Sequence, residues 1–148
     1  MSTTKPITFT SRTDVVFNTL MGFTVAVCLL PMYPLISSGL KTTESLIAFL
    51  VCSATVVLML SFYTHTFYTI KDNKVYWRSS FLFGSFSVAD IRKIEVGKTL
   101  WVGTRPATAR KGLIIYYNKF DEIYFSPSDN EAFVAALTAL NPAIEVVR

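Results

Sequence analysis

Two long stretches without a charged residue decide most of what this chain can become. No Asp, Glu, Lys or Arg occurs from Val15 to Leu40 or from Ser45 to Ile70, and only Lys41 and Glu44 lie between. As a helix, either stretch would reach about 39 Å, more than the hydrocarbon core of a bilayer at about 30 Å. Leu46 to Phe62 also lacks the polar face that a core helix of a soluble domain shows at 3.6-residue spacing. Ser37 to Glu44 reads as a tight turn, with Gly39 as a C-cap and Thr42 or Thr43 as the next N-cap. The expectation is an antiparallel transmembrane hairpin over 14–65, preceded by a polar, flexible tail over 1–13. Pro31 and Pro34 fall in the last third of the first helix, where a kink is best tolerated. Cys28 and Cys52 lie inside the apolar runs, as packing or lipid-facing residues.

Flanking cations set the expected orientation. Lys5 and Arg12 lie on the same side as Lys71, Lys74 and Arg78, whereas the short loop carries only Lys41. The positive-inside rule then places both termini in the cytoplasm of a bacterial inner membrane. The first apolar run is too long for the h-region of a cleaved signal peptide and lacks a small-x-small exit, so it is expected to stay. His65 sits among Phe62, Tyr63, Phe67 and Tyr68, an aromatic cluster suited to the headgroup level, and is read as an interfacial side chain.

From Thr66 onward the pattern changes to short alternating segments separated by turn residues, which marks a domain over 66–148. Strands are expected at 67–70 and 75–79 around Asp72-Asn73, at 83–88, at 91–96, and at 113–117 and 122–125 as a second hairpin. A loop rich in Gly, Thr, Pro and Arg joins the fourth strand to the fifth. The final helix is expected to open at Ser126-Pro127 or at a Ser128/Glu131 capping box. It carries an apolar stripe of Phe133, Ala136, Leu137 and Leu140, and stops at Asn141-Pro142. The fold class is therefore α+β: a membrane hairpin, then a small antiparallel β domain with one amphipathic C-terminal helix.

Several residue groups, in this order, resemble the short bacterial PH domains of the YyaB-like type. They are Tyr68-Thr69-Ile70, Asp90 to Ile94, Arg105-Pro106-Ala107, Ile123 to Pro127, Phe133, Leu137 and Asn141-Pro142. The resemblance covers 66–145 and leaves the hairpin aside. It implies a pleckstrin-homology-like fold in a membrane-tethered setting, with no established ligand or reaction.

Catalytic chemistry finds little to work with. The one histidine is at the membrane boundary, no Ser-His-Asp set can be drawn around it, and no metal-binding cluster or phosphate-cradling glycine loop is present in the sequence. The expectation is a non-catalytic module without cofactor or metal. Its most distinctive feature is a basic run, with Arg92, Lys93, Lys98, Arg105, Arg110 and Lys111 against the single acid Glu95. Beside an anionic leaflet each such charge could contribute about 1 kcal/mol, and Trp101 could insert at the interface. Nucleic acid is not an expected partner, because stacking aromatics are not interleaved with the cations. Three roles remain open at this point: a scaffold engaging a protein partner or peptide strand through sheet edges or the loop from Gly97 to Gly112, an anionic-lipid reader using the 92–111 segment, and an accessory or immunity-type subunit packing through Gly22, Ala26, Ser53 and Ala54. The bilayer is a partner in all three, and homo-oligomerisation is left open.

Overall fold

The stretch expected to be a flexible tail is instead, over part of its length, a strand. In the computed structural model, which describes residues 5–37, 39 and 41–148, β1 (Ile7–Thr10) pairs antiparallel with β2 (Thr66–Lys71), from Ile7↔Ile70 to Thr10↔Phe67. The local reason is alternation. Ile7 and Phe9 alternate with the β-branched Thr8 and Thr10, a strand pattern that abundant Ser and Thr disguise as a tail. Phe9 meets Phe133 edge-on, with ring centroids 5.1 Å apart.

Between these two neighbouring strands the chain makes its helical excursion, α1 (Val15–Ser37) and α2 (Thr43–Thr64). Both are long and apolar enough to cross a membrane, and neither buries a residue. Thr42 caps α2 in a reciprocal box with Ser45, and Gly39 takes a left-handed φ of 79° in the connection. At the base of the hairpin Phe17 stacks on Tyr63 at 6.3 Å. The excursion is thus inserted into the β domain, leaving that domain discontinuous in sequence.

Strands β2, β3 (Lys74–Ser79) and β4 (Leu82–Ser87) complete the first sheet in the order β1-β2-β3-β4. Asp72 and Asn73, both at positive φ, form the two-residue turn between β2 and β3. The second sheet contains β5 (Ile91–Lys98), β6 (Gly112–Tyr117), β7 (Asp121–Phe125) and β8 (Glu145–Val147), in the order β7-β6-β5-β8. A register shift at Arg92 turns both Ile91 and Ile94 inward, although three positions apart they would face opposite ways on a regular strand. β8 was not expected: it runs parallel to β5, beyond the helix stop.

The last helix, α3 (Asn130–Leu140), is capped by neither expected device. The Asp129 carboxylate accepts the Ala132 amide at 2.9 Å, while Ser126 is buried with its hydroxyl turned inward. Phe133, Val134 and Leu137 press onto a core of Tyr68, Val75, Val88, Ile94, Leu113 and Phe125. The N-terminal segment closes the seam between the sheets. The Ser11 amide donates to Thr66, Arg12 to Ser126, and Ser128 donates back to Thr10, at 2.8–3.0 Å.

Candidate functional site at the helix–sheet junction

Asp14 ties the hairpin to the domain. One carboxylate oxygen accepts the Phe17 amide at 2.8 Å, capping α1. The other accepts both the Arg110 amide at 2.9 Å and its Nε at 3.0 Å. Partial burial pushes this carboxyl up, but the hydrogen bonds from Phe17 and Arg110 and the guanidinium charge outweigh it, and the group titrates below its ordinary value. Two residues earlier, the Arg12 guanidinium donates to the carbonyls of Arg110 and Lys111. The loop before β6 is therefore gripped from both sides by the segment that leads into α1.

Beneath this grip lies a buried hydroxyl network. Tyr68 donates to the Pro106 carbonyl at 2.6 Å and accepts the Ser126 amide at 3.1 Å. Ser11 lies 2.8 Å from the hydroxyls of both Thr108 and Ser126. Burial pushes the Tyr68 phenol up, so it stays neutral and serves as a staple between the sheets rather than as a base. Tyr124 repeats the device, accepting the Gly112 amide at 2.8 Å and donating to Ala109 at 2.9 Å. The close approach needs glycine at 112: a Cβ there would lie 2.0 Å from the Phe125 carbonyl oxygen.

The basic run does not form one patch. Lys98, Trp101, Arg105, Arg110 and Lys111 lie at the end of the second sheet that meets α1. Arg92 and Lys93 lie at the other end of β5, roughly 15–20 Å away at strand rise. Arg92 donates to the Lys119 carbonyl at 2.9 Å, and Lys93 pairs with Glu95 at 2.7 Å. At the junction Arg110 is committed to Asp14, and the Arg105 guanidinium lies 5.9 Å from the Trp101 ring and 5.1 Å from Tyr124. Lys98 and Lys111 are exposed without an acidic partner among the described residues. Trp101, 72% exposed, leans toward α1 over a cleft of about 210 Å³, lined by Phe17, Leu20, Arg105 and Arg110 among others.

The sequence places Arg12 only among the flanking cations and Tyr68 in an aromatic cluster at the headgroup level, whereas Tyr68 is fully buried in the core, and Asp14 is not singled out at all. An Asp just before an apolar run is an N-cap signal and could have been found. Its partner Arg110, 96 positions on, could not. Among the small residues expected to pack helices, Gly22 has nothing within 4 Å of a Cβ built on it, and Ala26, one turn further, is exposed with it.

No curated protein and no solved structure matches the chain. The family model described as "Bacterial PH domain" matches residues 66–141, from the start of β2 past the end of α3. With two sheets, a C-terminal helix laid on their core and this match over half its length, the chain belongs to the bacterial PH domain family.

Proposed function

We propose that this protein is a non-catalytic, membrane-anchored PH-like module that holds a binding surface for a protein partner at the cytoplasmic face of a bacterial inner membrane. The observation that carries this reading is the insertion of the hairpin between two paired strands. It gives the domain two adjacent covalent tethers, reinforced by the Arg12 and Asp14 grip, so the domain presents one orientation. It also supports a common side for the N-terminal strand and the rest of the domain. The partner-facing end is then the far end of the β6–β7 hairpin, where Phe120 is 85% exposed beside Lys119 and Arg92. The test is a photo-crosslinking residue placed at Phe120 in the full-length chain in cells. One discrete protein adduct, competed by the unlabelled chain, is expected. Lipid-only or no adducts from a correctly inserted chain would overturn the reading.

A second reading, contact with anionic lipid, is favoured by the unpaired ammonium groups of Lys98 and Lys111 near the junction. It predicts that Lys98→Ala with Lys111→Ala changes the salt dependence of the domain's contacts with anionic vesicles, leaving the Phe120 adduct intact.

A further inference from the structure

Apart from Phe120 at the far end, the most exposed apolar side chains of the domain gather at two tips on the junction side. In the β3–β4 turn Phe81 is 62%, Leu82 48% and Phe83 80% exposed, and in the loop after β5 Trp101 is 72% and Val102 82% exposed. Neither group packs into the domain, and neither is far from the hairpin. The Phe81 ring meets Phe62 of α2 edge-on at 5.8 Å, and the Ser80 hydroxyl lies 2.8 Å from that of Ser61. On the other flank, Trp101 shares its cleft with Val16, Phe17 and Leu20 of α1.

These contacts fix a depth. Ser61 and Phe62 are two to three residues inside the end of α2, and Leu20 is five inside the start of α1. At 1.5 Å per residue, those positions lie about 3–8 Å inside the helix ends. A ring packed against the side of α2 inside its end, and a cleft beside Trp101 that opens on α1 as far as Leu20, set both tips alongside the helices rather than beyond them. Cations lie beside both tips. Arg78 stands on the outer face of the first sheet between Phe67 and Phe83, its Nε donating to the Ser80 carbonyl at 3.1 Å, and Arg105 stands over Trp101. Aromatic rings flanked by cations at the same level make up the composition of an interfacial anchor.

We propose that the β3–β4 tip (Phe81, Leu82, Phe83) and the Trp101–Val102 tip are inserted into the bilayer on either side of the hairpin, so that the domain is partly sunk in the membrane. The proposal rests on the reading that the two helices cross the bilayer. Its occupant is lipid, because both tips are continuous with the apolar surface of those helices.

Tryptophan fluorescence tests it in the full chain reconstituted in vesicles. Trp77→Phe leaves Trp101 as the sole tryptophan, and Phe83→Trp, Phe120→Trp or Leu50→Trp are each added to a Trp77→Phe, Trp101→Phe background. With lipids brominated on shallow acyl carbons, Trp101 and Phe83→Trp are expected to lose more than half of their emission and to resist aqueous iodide. Phe120→Trp should show the opposite pattern. Leu50→Trp, quenched by deep bromines, reports the span separately, so that a hairpin outside the bilayer is distinguished from tips outside it. Tip tryptophans quenched by iodide and untouched by bromine would overturn the proposal. Tip tryptophans reached by neither quencher would overturn it too, since protein would then be covering them.

Discussion

The two ends of the basic segment began as one feature and have opposite fates. At the junction, Arg110 is fastened to Asp14, the backbone of Arg110 and Lys111 is fastened to Arg12, and Arg105 is laid on aromatic rings. At the far end Arg92 and Lys93 lie on the strand surface, Arg92 donating to a carbonyl and Lys93 held by a neighbouring glutamate and the face of Tyr116, all within the second sheet. The lesson is that a run of like charge in sequence need not be a binding patch. Where a second chain segment crosses it, part of the run becomes internal structure.

This contrast can be broken most severely by removing the crossing segment. A fragment of residues 66–148 lacks β1, the Phe9 contact and the Arg12 and Asp14 grip, a loss comparable to the 5–15 kcal/mol stability of a whole domain. It should fail to give a cooperative thermal melt, whereas residues 5–14 joined to 66–148 by a short linker should fold. A well-folded 66–148 fragment would show the crossing segment to be dispensable. Next in size is Gly112→Ala, where the new methyl group meets the Phe125 carbonyl and the strands must part; about 1–3 kcal/mol should be lost in denaturant unfolding of the linked domain. Tyr68→Phe should cost about 1–3 kcal/mol by leaving the Ser126 amide and Pro106 carbonyl without the phenol.

The smallest effects sharpen the comparison. Asp14→Asn keeps an oxygen for the α1 cap but loses the charge facing Arg110, and about 1 kcal/mol is expected. Lys93→Ala, at the far end, should leave the melting temperature unchanged. The same contrast has a pH dependence. Asp14 titrates below its unfolded-state value, so its contribution is complete above about pH 4 and is lost as pH falls through the lower folded-state value. Hydrogen exchange at the Arg110 amide should therefore speed up in that acid window in the wild type and show no such step in Asp14→Asn.

Much of this architecture was readable from local pattern. The two long apolar helices follow from missing charge, and β2 to β7 and α3 from turn residues and periodicity, because each of these signals is local in the chain. What escaped was non-local or disguised. β1 is polar on one face and lies ahead of the hairpin, and β8 is three residues held by a parallel partner some fifty positions back. The α3 cap went to Asp129 because the core claimed Ser126. Of the candidate site, residue types were legible but grouping was not, since it depends on which end of β5 each residue reaches and on a partner in the N-terminal segment.

The insertion of the hairpin between β1 and β2 also sets an order of events during synthesis. β1 leaves the ribosome first and has no partner strand until both helices have been made. If one helix crosses a bilayer and the other does not, β1 and β2 are left on opposite sides, and the first sheet cannot close. In a membrane, closure of the first sheet would thus depend on both helices crossing together, and a chain in which one alone crosses would expose an unpaired β2 edge to quality-control proteases.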